Sequence, residues 1–159
     1  MITILQKPLA LVCRARDLLN AVPYSALVLL ARGATFSVFF RSGLVKLADW
    51  NATLNLFQYE YNVPVLSPQV AAMLAASMEL GLSTLVLVGL FTRLSALGLL
   101  GMVAVIQAFV YPMAWPDHIQ WLAFMIFIVC RGPGTVSLDH ALGKLLGTTL
   151  RRTGQTAGQ

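Results

Sequence analysis

Charged residues are scarce in this chain of 159 residues: 11% are Asp, Glu, Lys or Arg, whereas 58% are hydrophobic. A soluble globule of this length needs more polar surface than that composition supplies. The scarcity therefore excludes a soluble domain and predicts an integral membrane protein. Once its apolar runs are counted, the length leaves room for one compact bundle and no second domain.

Cysteine and histidine are equally rare, with two of each. Cys13 and Cys130 form no CxxC motif and have no histidine at a metal-ligating spacing, so neither a metal site nor a structural disulfide is expected. Both are interpreted as small apolar residues. The sequence also lacks a phosphate loop, a dinucleotide fingerprint, a haem motif and a catalytic triad. No catalytic residue or covalently bound cofactor is predicted, and whether the chain is an enzyme stays open.

Four apolar runs are present, and they predict an all-α fold with a four-transmembrane-helix bundle across residues 23–131. The predicted helices span residues 24–47, 69–90, 94–111 and 116–130. The first three reach close to the roughly 30 Å of a bilayer's hydrocarbon core at about 1.5 Å per residue. The fourth reaches only about 23 Å, so local thinning and the anchors Trp115 and Trp121 are needed to accommodate it.

Three less hydrophobic segments flank or interrupt these runs. Residues 1–22 mix apolar and basic side chains in the wrong order for a signal peptide, and they predict an interfacial segment in which Leu18 and Leu19 touch lipid or the bundle. Residues 48–67 carry Trp50, Tyr59 and Tyr61 among polar residues, which is typical of an amphipathic helix at the headgroup level. Residues 132–159 are expected to be a surface segment with a short helix.

The basic residues indicate the orientation of the bundle. They are Lys7, Arg14, Arg16, Arg93, Arg131, Lys144, Arg151 and Arg152 on one side, against Asp49, Glu60 and Asp117 on the other. The positive-inside rule then predicts that both termini are cytoplasmic, which requires an even number of crossings. No basic, aromatic-interleaved patch is present, so nucleic acid is excluded as a partner.

Glu79 is the one acid in the predicted second crossing, where an ionised carboxylate needs a nearby cation. The first crossing contains Arg32, Arg41 and Lys46. At 100° per residue, Arg32 and Lys46 lie about 40° apart on one face, with Arg41 nearly opposite Arg32. Since Arg32 and Arg41 are set deeper, we expect at least one to form a structural ion pair with Glu79. Lys46 either joins the site or snorkels to the interface.

Helical rise places several polar residues in the outer half of the bundle. They are Arg41, Lys46, Glu79, Gln107 and His118, roofed by Trp50, Trp115 and Trp121, and they form the predicted binding site. Ionisable residues inside a membrane mark a functional site by default, because apolar packing would hold the helices without the desolvation cost. Two alternatives stay open: a buried Arg–Glu pair that only fixes helix register, and a His118 that is a hydrated interface residue.

Five segments together resemble the DoxX family of small bacterial four-helix membrane proteins. They are RSGLVKLADW at 41–50, YNVPVLSP at 61–68, MELGLSTLVLVGLFTRLSAL at 78–97, YPMAWPDHIQW at 111–121 and RGPGTVSLDH at 131–140. The resemblance maps the family's helix-one GxxK to Gly43 and Lys46, its helix-two acid to Glu79, the following arginine to Arg93 and the loop histidine to His118. It implies a bacterial inner-membrane protein that accompanies an oxidoreductase or stress-response system.

Two functions are therefore expected as alternatives. In the first, the chain is a redox-associated membrane subunit in which Arg41, Lys46 and His118 hold a quinone headgroup or a small sulfur anion, and Glu79 handles a proton. In the second, it is a non-enzymatic scaffold or small transporter that accompanies a metal-binding-peptide or export system. The expected partners are membrane lipid and a redox or peptide-maturation protein. The missing cofactor motifs favour a subunit or scaffold over an autonomous enzyme.

Overall fold

The computed structural model describes the backbone of residues 2–146 and the side chains of residues 11–146. All regular structure in this part of the chain is helical, which confirms the predicted all-α class. The α-helices are α1 (Ile2–Asn20), α2 (Tyr24–Ala48), α3 (Trp50–Asn55), α4 (Pro68–Val88), α5 (Thr92–Val105) and α6 (Trp115–Arg131). Two π-helical segments, Leu56–Tyr61 and Ile106–Val110, continue α3 and α5, and residues 138–146 are also helical.

Three helical spans are long and apolar enough to cross a membrane: Tyr24–Ala48, Pro68–Val88 and Thr92–Val110. The chain is thus a membrane protein with several apolar helices. Helix α6 is not among the three, since its 17 residues rise only about 25 Å. A fourth crossing stays a prediction. When the π-helical continuation of α5 to Val110 is included, the helices at 24–48, 68–88, 92–110 and 115–131 begin and end within two residues of the predicted ranges.

Helices α2, α4, α5 and α6 close a ring, in which α2 and α5 each pack against both α4 and α6. Their shared core is built mainly from aliphatic and aromatic side chains, and all four helices contribute to it. Its buried members are Ala31, Phe39, Val86, Ala96, Leu99, Val103, Met125 and Ile128. Helix α6 therefore packs within the bundle, although it is shorter than the three membrane-length spans.

The turn between α4 and α5 is tied to the segment after α6. Gly89 ends α4 with φ +73°, a left-handed conformation that favours glycine. Asp139 accepts hydrogen bonds from the backbone N–H of Phe91 and from both the N–H and the hydroxyl of Thr92, at 2.8–3.0 Å. Partial burial opposes ionisation, but these hydrogen bonds and nearby Arg32 outweigh it and hold the pKa of Asp139 below its ordinary value.

Helix α1 lies apart from the bundle. Among its described side chains, Leu11, Leu18 and Leu19 are at least 70% exposed. Of the two contacts predicted for Leu18 and Leu19, this exposure favours lipid over the bundle. An exposed apolar stripe beside Arg14 and Arg16 is suited to the lipid interface. Cys13 and Cys130 are both exposed and form no disulfide.

Candidate functional site

A buried ion pair joins α2 to α4. Lys46 Nζ lies 2.8 Å from both carboxylate oxygens of Glu79 and 2.9 Å from the hydroxyl of Ser42. Ser42 in turn donates to Glu79 Oε1 at 3.2 Å. The side chains of Lys46 and Glu79 are only 15% and 5% exposed. The three ammonium protons of Lys46 therefore all have acceptors within this cluster.

Two local features bring the pair together. Side chains on a helix lean toward its N-terminus, so Lys46 near the end of α2 reaches back along the helix toward Ser42 and into the bundle. Gly43, one turn before Lys46, allows α4 to approach closely, because a Cβ there would lie 2.7 Å from Leu80 and 3.2 Å from the Cβ of Glu79. In the helix-one GxxK, Gly43 thus allows the close contact between the helices, and Lys46 supplies the cation of the ion pair.

Arg32 does not pair with Glu79, so the predicted ion pair is wrong on this point. Its side chain leans toward the start of α2 and thus away from Glu79, and Arg32 is only 2% exposed. The guanidinium donates to the backbone carbonyls of Val86 (2.8 Å) and Leu87 at the end of α4. It also donates to the carbonyls of Pro133 (2.9 Å) and Val136 (2.6 Å) in the segment after α6. Arg32 therefore fastens the end of the bundle that is remote from the ion pair.

Arg41 is also misplaced in the predicted site. It is exposed, and among the described residues it has neither an ion pair nor a hydrogen bond. The helical period explains this, since Arg41 lies nearly opposite the face that carries Arg32 and Lys46. Arg41 belongs neither to the ion pair nor to the group of convergent polar side chains.

Gln107 and His118 form a second polar pair. The Gln107 amide nitrogen donates to the carbonyl of Pro112 at 2.7 Å, and its amide oxygen lies 2.5 Å from His118 Nδ1. His118 is 3% exposed and its ring lies 5.1 Å from that of Trp121. The alternative of a hydrated interface histidine is therefore wrong: α6 turns this side chain inward.

One cavity brings the two polar groups to a common space. It has a volume of about 490 Å³ and is bordered by Lys46, Glu79 and Ser42 as well as by His118 and Trp121. Most of its remaining wall is apolar. This wall comes mainly from α4, α5 and the two π-helical segments, and includes Leu74, Ala75, Met78, Leu97, Gly98, Gly101, Met102, Val105, Ile106 and Val110. The site is an apolar chamber with a few convergent polar groups.

The roof of the cavity is built from the π-helical segments, which the sequence analysis did not predict. Phe57 and Tyr61 of the first segment stack edge to face at 4.9 Å, and Tyr61 meets Tyr111 at 5.6 Å. Tyr111 also donates to the carboxylate of Glu60. This hydrogen bond, together with partial burial, raises the pKa of Tyr111 above its ordinary value. Single-turn π-segments frequently occur at functional sites.

The predicted tryptophan roof is accordingly wrong for Trp50 and Trp115, whereas the expectation for Trp121 is confirmed. Trp115 is half exposed and does not border the cavity, and Trp50 packs with Phe57 against Ala71 and Ala72 instead. Trp121 does line the cavity, where it packs edge to face against Phe39 at 5.9 Å. From the sequence, Tyr61 was interpreted only as part of an amphipathic helix at the headgroup level, and no role was predicted for Tyr111.

The family of this chain follows from comparison with known proteins. Neither curated proteins nor solved structures give a match. The DoxX family model matches residues 27–112, which are more than half of the chain. The matched range contains Gly43, Lys46, Glu79 and Gln107, whereas His118 lies beyond it. On this match, the chain belongs to the DoxX family.

Proposed function

We propose that the cavity binds the headgroup of a lipid-soluble quinone, and that the chain serves an oxidoreductase or stress-response system as its membrane subunit. The observation that carries the proposal is the cavity itself, with apolar walls and two separate polar groups. A ring with oxygen substituents at opposite ends and an apolar body matches that distribution. The proposal requires no chemistry from a cofactor bound permanently to the chain.

The ion pair argues for a neutral ligand rather than a sulfur anion. Among the residues that the structure describes, Lys46 is the one Lys or Arg that borders the cavity, and the carboxylate of Glu79 neutralises it at 2.8 Å. Arg41, the second cation expected to bind an anion, is exposed on another face of α2. An oxyanion would therefore meet Glu79 without a free positive charge to offset the repulsion. Of the two ligand classes expected from the sequence, the quinone is favoured.

The exposed wall of the cavity supports entry from the bilayer. Leu74 of α4 and Leu97 of α5 both border the cavity and are each 47% exposed. Gly101 and Val105, one to two turns farther along α5, combine the same two properties. Exposed apolar side chains in a membrane-crossing segment face lipid. A ligand dissolved in the hydrocarbon core thus reaches the cavity between α4 and α5.

The orientation of the bundle in the membrane and the protein partner are also part of the proposal. With the basic residues on the cytoplasmic side, both termini are cytoplasmic and the cavity opens in the outer half of the bacterial inner membrane. The protein partner in this arrangement is a redox protein that exchanges electrons with the bound quinone. A scaffold or transporter for a metal-binding-peptide or export system is the alternative, and it predicts no quinone affinity.

A binding measurement tests the proposal. Trp121 borders the cavity, so its fluorescence reports on a ring that enters, once Trp50 and Trp115 are replaced by Phe. We expect ubiquinone-1 or menadione to quench Trp121 in nanodiscs with saturation. Gly101→Phe should weaken binding at least tenfold by filling the space between α4 and α5. Gly81→Phe is the matched control, because both glycines have open space at their Cβ positions but Gly81 does not border the cavity.

Two results would contradict the proposal. One is a quinone signal that does not saturate, or that Gly101→Phe and Gly81→Phe reduce equally, because this would indicate nonspecific partitioning. The other comes from gentle extraction of the native membrane followed by mass spectrometry. Recovery of the chain with an export or peptide-maturation protein, and without quinone or a redox protein, would favour the scaffold.

A further inference from the structure

The hydrogen bonds of Gln107 determine which nitrogen of His118 carries a proton. A backbone carbonyl only accepts hydrogen bonds, so the atom that faces Pro112 O at 2.7 Å is the Gln107 amide nitrogen. The Gln107 amide oxygen therefore faces His118 Nδ1, at 2.5 Å. An amide oxygen only accepts, and so Nδ1 is the protonated nitrogen. In the neutral imidazole, Nε2 then carries a lone pair and no proton.

This second nitrogen opens onto the cavity. His118 Nε2 has no hydrogen-bond partner among the described residues. In the same part of the chain, no fully buried side-chain nitrogen or oxygen lacks a partner, so Nε2 is not fully enclosed by protein. Because His118 is 97% buried and borders the cavity, the accessible side of Nε2 faces that space. The cavity thus contains a hydrogen-bond acceptor that protein groups leave unused.

The donors of the other polar group in the cavity are already used within that group. The three protons of Lys46 are directed to Ser42 and to the two oxygens of Glu79. The hydroxyl of Ser42 is also committed, since it donates to Glu79 Oε1. Further donors, the indole of Trp121 and the phenol of Tyr61, border the same space and suit any oxygen substituent on a ring. A quinone and a quinol therefore differ in how they meet the acceptor on His118.

The geometry points to the reduced ligand: we propose that the cavity prefers a quinol, whose hydroxyl donates to His118 Nε2, over the corresponding quinone. A quinone has only acceptor oxygens, which would leave two lone pairs facing each other at this position. The inference rests on the proposed function, because it names the redox state of the ligand in that same site. One hydrogen bond corresponds to about tenfold in affinity.

Two histidine variants separate the acceptor from the rest of the side chain. In His118→Asn, the amide nitrogen takes the place of Nδ1 and keeps the bond to Gln107, but nothing replaces Nε2. In His118→Gln, the amide places a polar atom near the position of Nε2 and restores an acceptor. The pair of variants therefore tests the hydrogen bond to the ligand independently of the packing of α6.

The experiment compares ubiquinone-1 with ubiquinol-1 in nanodiscs, under anaerobic conditions at pH 8, by quenching of Trp121. With His118 intact, the chain that carries Trp50→Phe and Trp115→Phe should bind the quinol about tenfold more tightly, which raises the midpoint potential of the bound two-electron couple by about 30 mV. His118→Asn should abolish the preference, and His118→Gln should retain part of it.

Equal binding of the two forms, or an unchanged preference in His118→Asn, would overturn this inference and leave the proposed function in place. Saturable binding of neither form would overturn both. A folded His118→Asn variant is identified by its helical circular dichroism and by unaltered elution from a sizing column. If that variant does not fold, wild-type affinities for ubiquinol-1 and for its dimethyl ether decide the question, because methylation removes the hydroxyl donor. An ether that binds as tightly as the quinol would contradict the inference.

Discussion

The Lys46–Glu79 pair allows the sharpest test of the structure. Removing one member of a buried ion pair leaves an uncompensated charge and costs about 3–5 kcal/mol. Lys46 is 15% exposed and Glu79 is 5% exposed, so partial screening places the expected loss near the lower end of that range. We therefore expect Lys46→Met and Glu79→Met each to lower the free energy of unfolding by about 3 kcal/mol.

The double variant distinguishes an ion pair from two independent contributions. Two methionines fill the space with apolar atoms and leave no buried charge, so the double variant should lose about 1 kcal/mol rather than the sum of the single losses. The resulting coupling energy is about 5 kcal/mol, above the 0.5–3 kcal/mol typical of contacting residues. Arg41→Met is the matched control, because it removes an exposed cation from the same helix and should change the stability by less than about 0.5 kcal/mol.

The assay is reversible unfolding in mixed micelles, followed by far-ultraviolet circular dichroism at fixed protein concentration. Losses that add up in the double variant would refute the pair as described, and so would a single variant as stable as the wild type. The double variant also distinguishes the effect of the ion pair on stability from its effect on ligand binding. The double variant should be stable but should bind quinone more weakly than the wild type, because the polar group at that end of the cavity is gone.

Three further predictions concern the rest of the fold. Gly43→Leu should lower stability by about 1–3 kcal/mol, since its side chain would overlap Leu80, whereas Gly81→Leu should have little effect in the same unfolding assay. Arg32→Met should lower the thermal midpoint by several degrees, because four buried or partly buried carbonyls lose a donor; an unchanged midpoint would contradict the role described. The lowered pKa of Asp139 implies stability that is present above its ordinary value of 3.8 and is lost as the pH falls through the folded pKa. Asp139→Asn should therefore flatten the acid limb of a stability–pH curve, and an identical limb in both proteins would exclude Asp139 as its source.

The helical wheel of α2 explains which part of the site could be predicted. Arg32 and Lys46 share a face and Arg41 lies opposite, and the structure has that arrangement: the first two point inward and Arg41 is exposed. The partner of Glu79 was nevertheless assigned incorrectly, because depth was measured from Cα positions. The length and N-terminal lean of a lysine side chain move its charge inward, while the same lean carries the charge of Arg32 away from Glu79.

The arrangement of Gln107 and His118 could be predicted from the sequence only in part. Both were expected in the outer half of the bundle, but their hydrogen bond depends on the π-helical segment Ile106–Val110, which changes the direction of Gln107 relative to a regular α-helix. Neither the segment nor its counterpart Leu56–Tyr61 has a recognisable signal in one sequence. The two π-helical segments position the aromatic residues of the roof, so that roof was not predicted.

The sequence by itself determined the membrane class, the all-α fold, the approximate limits of the long helical spans and the DoxX family, because hydrophobicity and helical period are local properties of the chain. It also identified Glu79 as a residue that needs a partner. Tertiary structure alone decided that this partner is Lys46, that Arg32 closes the opposite end on backbone carbonyls, and that His118 leaves an acceptor open in the cavity. Each of these depends on where a long side chain ends rather than where it starts, and packing between helices sets that position.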